Sequence, residues 1–422
     1  MFKSLRDAWR IPDLRKKMLY TLLMLVVFRI GSFVPVPGVD KEAFSRLFQT
    51  GTGSLFDIMN MFSGGAFENA TIFAMSITPY VNASIIMQLL TVAIPALERL
   101  AKEGEEGRKK INEFTRYGAI ILGFITAAGF YVTLYTNDAI KNPGVLSFIT
   151  ITFAFTAGTS FLMWLGEEIT NKGIGNGISL LIFAGIIARI PTMIRLAVNI
   201  FDKWYYFILL LVYVIASIVF VVIFDSAERR ITVQYAKRVV GRRQYGGQST
   251  HIPIKVAMAG VIPIIFAISI MSFPSTLAQL FNAKEGSFLF KAARLFTPDN
   301  WLYIILYFAL IVGFTFFYTS ITFNPIEIAN NMKKNGGSIP GIRAGKPTSD
   351  YITKVLSKIT FAGSLFLAII AVLPNVISLF YSNFSRLALG GTSLLIVVGV
   401  ALETFRQLEA QMLMRHYKGF LS

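Results

Sequence analysis

The ionisable and nucleophilic side chains of this 422-residue chain are few and poorly placed for catalysis. Glu98, Glu167, Glu168, Asp225, Glu327 and Glu403 fall at the ends of apolar runs or between them, and the two histidines, His251 and His416, lie in a polar segment and near the C-terminus. There is no His-Glu-x-x-His pair of zinc ligands and no Gly-x-Ser-x-Gly nucleophile turn. Cysteine is absent, which excludes disulfides, thiolate nucleophiles and Cys-ligated metals. The stretch "GIRAGKPT" has the glycines and lysine of a phosphate-binding loop, but Gly341 and Gly345 are too close together, and Pro347 stands where Ser or Thr would hold magnesium. "GIGNGI", Gly173 to Ile178, lacks the spacing of a dinucleotide fingerprint and is expected to be a flexible start to a helix. No catalytic centre, cofactor or metal is expected.

The distinctive spacing is apolar. Ile77 and Val81 stand one helical turn apart, as do Ile178 and Ile182, so each pair projects from one helix face. Their neighbours Ser76, Thr78, Asn82, Ser84, Asn176 and Ser179 are small or polar, which is unusual on a face turned to lipid. Ordinary helix packing accounts for the spacing. So does a narrow hydrophobic collar around an aqueous path, which resists ion flow by dewetting.

The elements that must carry these residues are membrane spans. The chain is 54% hydrophobic and only 15% charged, with a mean hydropathy of +0.61, whereas soluble domains carry about 25% charged residues. Runs long enough to cross a bilayer as helices occur at Met18 to Val34, Ala70 to Ile94, Tyr117 to Tyr135, Val145 to Leu165, Gly177 to Ile194, Tyr205 to Phe224, Val256 to Phe273, Trp301 to Phe323, Ile359 to Phe380 and Leu387 to Leu402. The expected fold is therefore an all-α polytopic membrane protein of about ten transmembrane helices. The first run follows a basic segment but is long for a signal-peptide core, so it is expected to stay as a helix. With the N-terminus in the cytoplasm, 29 of the 40 lysines and arginines fall on the cytoplasmic side. Both termini are accordingly expected there. The formal net charge of +17 is mostly this bias.

Ten spans divide into two fives. An odd-numbered half must re-enter from the opposite face, giving two inverted five-helix halves, expected at 1–200 and 201–422. The second span of each half carries a proline, Pro79 in "SITPYV" and Pro263 in "GVIPII", a match that a span proline's structural role explains equally well. Two cytoplasmic loops, about 225–255 and 324–358, are long enough to be functional. The first alternates β-branched and polar residues through Ile231 to Tyr235 and turns at Gly246-Gly247, which predicts a projecting hairpin. On the outer side a short apolar stub, Leu55 to Phe62, breaks at Ser63-Gly64-Gly65 before the second span. Composition and topology alone also admit a small-solute secondary transporter with inverted repeats, although such proteins commonly hold carboxylates in mid-span.

Longer motifs narrow the choice. "FSGGAFENATIFAMSITPYVNASIIMQLL", "GEEITNKGIGNGISLLIFAGI", "ERRITVQYAKRVVGRRQYGGQSTHIPIKVAMAGVIPIIFA", "NPIEIANNMKKNGGSIPGIRAGKPT" and "GGTSLLIVVGVALET" occur in an order, end to end, that resembles the SecY family, the central subunits of protein-conducting channels. The resemblance implies a central pore between the halves. Its plug is the stub, about 54–68, with Gly64 and Gly65 as hinge, and its six-residue ring maps onto Ile77, Val81, Ile178, Ile182, Ile265 and Ile396. A lateral gate between spans two and three and spans seven and eight would include Gln88, Asn176 and Phe273. The family's cytoplasmic loops meet the ribosome and, in bacteria, the motor ATPase SecA. Arg343 matches a functionally important position in "PGIRAG", with Lys237, Arg238, Arg242 and Arg243 as further docking residues. Ala344 replaces a proline common in bacterial relatives, which puts the rigidity of that loop in question. The resemblance also implies the small membrane subunits SecE and SecG, signal sequences and secretory polypeptides as partners, and the bacterial inner membrane as location.

Overall fold

The computed structural model describes residues 2–40, 43, 60, 63–200, 204–235, 238–240, 243–245, 249–280, 287–297, 300–380 and 391–418. Every predicted span falls on a helix. The N-terminal part holds α1 (Phe2–Arg10), α2 (Pro12–Gly31), α3 (Thr78–Ala93), α4 (Pro95–Lys102), α5 (Glu105–Thr136), α6 (Val145–Lys172) and α7 (Gly177–Ile200). After α8 (Trp204–Ser226) come strands β1 (Glu228–Tyr235), β2 (Arg238–Val240), β3 (Arg243–Tyr245) and β4 (Ser249–Lys255). Then follow α9 (Ile262–Leu280), α10 (Phe288–Leu295), α11 (Trp301–Thr322), α12 (Pro325–Lys334), β5 (Gly337–Ser338), α13 (Lys346–Phe380) and α14 (Gly391–Lys418). Spans one to ten are α2, α3, α5, α6, α7, α8, α9, α11, α13 and α14.

Five helices or continuous helical stretches among the described residues are long and apolar enough to cross a membrane unaided. Span two is not one of them: α3 ends at Ala93, Ile94 caps it before Pro95, and the chain bends by 100° into α4. Proline disfavours helical geometry in the residue before it, so Ile94 is extended and the bend follows.

Two span boundaries differ from the sequence reading. Span two begins at Thr78 and not at Ala70, and span seven begins at Ile262 and not at Val256; turns precede both. Pro79 and Pro263 are the cause. Each lies in the first helical turn, where its missing N–H leaves no hydrogen bond unmade. These prolines start helices and do not kink them. The approach is the same in both: the residue two before the helix has a left-handed backbone, Ser76 at φ 53° and Gly260 at φ 56°.

The predicted hairpin is present and larger than expected. β1 and β4 pair antiparallel with Ile231 opposite Ile252, and a smaller ribbon, β2 with β3, lies between them. The predicted turn residues Gly246 and Gly247 are outside the described set. β5, from the second long loop, adds to the free edge of β1 through Gln234 with Ser338 and Tyr235 with Gly337. Alternation then does its ordinary work: Ile231 and Val233 turn inward to pack with Ile254, Met332, Ile339, Ile352 and Leu356. The two loops form one structural unit.

Candidate functional site

The bundle closes around an apolar waist. Span seven packs against spans two and three on one side, and span five packs against span ten on the other. Between these contacts lies a hydrophobic cluster that contains all six predicted ring residues: Ile77, Ile182 and Ile396 are buried, and Val81, Ile178 and Ile265 are partly buried. They come from four helices. The same cluster also buries residues that the sequence reading did not single out, Val261 and Val400 among them, together with Phe28, Leu165 and Leu181. Four one-turn pairs thus share the cluster: Ile77 with Val81, Ile178 with Ile182, Val261 with Ile265, and Ile396 with Val400. The signal for Val261 was legible, because "SITPYV" and "GVIPII" place Ile77 and Val261 at the same distance from their prolines. The backbone agrees, since Val81 N–H donates to the Ile77 carbonyl at 3.0 Å and Ile265 N–H to the Val261 carbonyl at 3.2 Å. No side chain in these pairs offers a hydrogen bond.

Beside the waist, residues 63–77 form a braced frame of successive turns. Val36 N–H donates to the Ala70 carbonyl and Ile72 N–H to the Val34 carbonyl, both at 3.0 Å, which ties the frame to the extended segment after span one. Gly64 sits at φ +67°, and a Cβ there would meet Gly185 Cα at 2.9 Å, so a side chain would be strained and crowded. Arg29, in the last turn of α2, donates from Nη1 to the Gly64 carbonyl at 2.9 Å, and its guanidinium lies 4.7 Å from the centroid of the Phe33 ring. Gly65 is held on both sides: its N–H donates to the Asn60 carbonyl at 3.1 Å, and its carbonyl accepts from Asn69 Nδ2 at 2.9 Å. Of the stub itself, Asn60 is described; residues 54–59, 61 and 62 are outside the described set.

The three expected gate residues have different surroundings. Gln88 is half-buried on α3, and Phe273 is exposed on α9. Asn176 is exposed and caps α7, its Oδ1 accepting from the N–H groups of Ile178 at 3.1 Å and Ser179 at 3.2 Å. The expected flexible start of span five is instead a packed corner, with Gly173, Ile174, Gly175 and Gly177 buried and Gly177 N–H donating to Thr170 Oγ1. That corner must be tight because α7 turns back directly against α6.

In the second long loop Arg343 is exposed, and its carbonyl accepts from Thr348 Oγ1 at 2.8 Å. The Gly345 carbonyl accepts from the N–H groups of Thr348 and Ser349. These bonds tie the loop whose rigidity Ala344 put in question. Arg238 and Arg243 lie on the β2–β3 ribbon, while Lys237 and Arg242 are outside the described residues. A cavity of about 250 Å³ opens between spans six to ten, lined in part by Val261, Lys255, Tyr318 and Glu403. Arg406 also lines it, 2.8 Å from Asp225 Oδ2 and donating to the Asp225 carbonyl. Asp225, in the last turn of α8, and Glu403, on α14, both line this cavity.

A SecY family model matches residues 71–405. The protein translocase subunit SecY of Halalkalibacterium halodurans is 48% identical to this chain over the whole of both, and that of Bacillus subtilis is 45% identical, again over the whole of both. Among solved structures, that of a protein-conducting channel shares the fold over 94% of this chain and 93% of its own, with a TM-score of 0.64 at 19% identity. Sec61 in the canine ribosome-channel complex from the endoplasmic reticulum does so over 94% and 93%, with a TM-score of 0.61 at 18% identity. With relatives of nearly half-identical sequence spanning it from end to end, the chain belongs to the SecY family.

Proposed function

We propose that this chain is the channel-forming subunit of a protein translocase, a passive conduit for unfolded polypeptides that also releases apolar segments sideways into lipid. The observation that carries the proposal is the convergence of Ile77, Val81, Ile178, Ile182, Ile265 and Ile396 in one hydrophobic cluster between the two groups of helices. Aliphatic side chains have no hydrogen bonds with which to select a sequence. They close on one another when the pore is empty and pack around any chain that threads it, and a constriction of this kind resists ions by dewetting.

The remaining parts follow from that role. The helices divide into halves at 1–200 and 201–422 that part to admit the polypeptide. The segment 54–68 is the plug on the outer side, pivoting at Gly64 and Gly65. The seam where span seven meets spans two and three is the lateral gate, with Gln88, Asn176 and Phe273 along it. A signal sequence crossing this seam gains about 0.3 to 0.6 kcal/mol for each Leu or Ile that reaches lipid, comparable with the roughly 0.6 to 2 kcal/mol of an interhelical hydrogen bond. The joined cytoplasmic loops dock the driving partner through Arg343, Lys237, Arg238, Arg242 and Arg243: the SecA motor ATPase or the ribosome, whose RNA phosphates suit arginine. SecE and SecG accompany the chain in the bacterial inner membrane, and both termini face the cytoplasm.

Single cysteines test this directly, since none is native. Val81→Cys and Ile265→Cys should each crosslink to a stalled secretory precursor within one translocating complex. Labelling of both by a small solute, with no crosslink to precursor, would instead indicate a solute transporter.

A further inference from the structure

The connection between spans seven and eight holds the short helix α10. Because β4 leads into span seven and β5 follows span eight, α10 lies at the end of the bundle opposite the long loops. Its depth is fixed. Thr297 Oγ1 donates to the Arg294 carbonyl at 2.7 Å, Asn300 N–H donates to the Thr297 carbonyl at 3.1 Å, and Asn300 Oδ1 caps span eight by accepting from Leu302 N–H at 3.2 Å. Trp301, the first residue of that span, is 56% exposed, and an exposed tryptophan at the end of a span sits at the level of the lipid headgroups. α10 is therefore tied to the membrane boundary.

Its inner face is settled. α10 packs against span seven, with Phe290, Ala292 and Ala293 half-buried, and Phe296 just beyond it packs on the core shared by spans six to ten. Its outer face is mixed. Phe288, at 85% exposure, and Leu295, at 45%, lie two turns apart on one face, with exposed Lys291 between them and exposed Arg294 a turn beyond Lys291. The helix carries no acidic residue. Among the described residues neither Lys291 nor Arg294 has an ion-pair partner. Water is a poor neighbour for the phenylalanine, and hydrocarbon is a poor one for the two charges. The zone where acyl chains meet phosphate suits both.

We propose that α10 is a binding site for anionic phospholipid in the leaflet opposite the long loops. Phe288 and Leu295 enter the acyl boundary, and Lys291 and Arg294 hold the headgroup phosphate. A zwitterionic lipid offers the same chains and the same phosphate, but its ammonium cancels the field that draws the two bases. The site tethers to lipid the end of span seven farthest from Val261 and Ile265.

The test is tryptophan quenching by brominated lipid in the full chain. The four native tryptophans are replaced by phenylalanine, and Phe288→Trp places a reporter on α10 itself. The chain is reconstituted in mixed vesicles of phosphatidylcholine and phosphatidylglycerol, with the bromine on one lipid or on the other. Each base beside an anionic surface is worth about fivefold in binding, so phosphatidylglycerol should be preferred roughly twentyfold at low salt. Lys291→Gln or Arg294→Gln should lower the preference to about fivefold, and the double variant should bring it to within about twofold of parity. Salt at about 1 M should act on the parent as the double variant does, and decides alone if that variant fails to accumulate. Equal quenching by the two lipids in the parent, or a preference that survives the double variant or the salt, overturns the proposal. So does an absence of quenching by either lipid; disulfides between copies of Phe288→Cys would then give this face to a second copy of the chain.

Discussion

Spans two and seven reach the waist by the same local device and are held by opposite chemistry. In both, a left-handed residue, an aliphatic residue and a proline-started helix follow in the same order. Ahead of span two the chain arrives through a frame of backbone and side-chain hydrogen bonds braced by Arg29. Ahead of span seven it arrives from β4, and the turn is bordered by a cavity that the Asp225 and Arg406 pair helps to line. The shared part positions a side chain. The unshared part decides how easily that position is left, with a hydrogen-bonded frame on one side and an ion pair beside open volume on the other.

The comparison breaks first at the waist. Ile265→Asn or Ile396→Asn should raise resting conductance by an order of magnitude or more, since an amide forfeits roughly 1.5–3 kcal/mol of apolar burial and hydrates the gap; unchanged planar-bilayer currents would end the ring assignment. Val261→Asn is the sharper probe. It should leak several-fold, as much as Ile77→Asn, if the two approaches are equivalent, and a silent Val261→Asn beside a leaky Ile77→Asn would show that they are not. Arg406→Gln should leave conductance alone and lower the thermal midpoint by a few degrees, because a partly buried charged pair is worth about 1.5–3 kcal/mol; differential scanning of the purified chain reads it. Charge reversal at Arg343 should have the smallest effect on the resting channel, with melting and leak unchanged, and should impair motor-driven translocation alone in a proteoliposome assay.

Much of this was legible in the residues. Hydropathy located all ten spans, because a bilayer demands long apolar runs whatever their packing. Alternation through Ile231 to Tyr235 revealed the hairpin. The frame at 63–77 was not legible: Ala70, Ile72, Phe73, Ala74 and Met75 are as apolar as any span, and hydropathy does not register the backbone bonds to Val34 and Val36 that hold them in turns. Pro79 carried the information, but a span proline reads as a kink until the helix start is known. The strand at Gly337 and Ser338 escaped for a different reason, since two residues have no period to detect. Asn60 with Glu68 and Asp225 with Arg406 are joined by the fold, and no pattern in the sequence announces either pair.

The two rungs between β1 and β5 have a mechanical consequence. One loop issues from spans six and seven and the other from spans eight and nine, yet past those rungs neither is a free strap. A pull at the Arg343 tip reaches β1 through β5 and is passed by β4 to the segment bearing Val261. A shove on either loop is therefore felt by both.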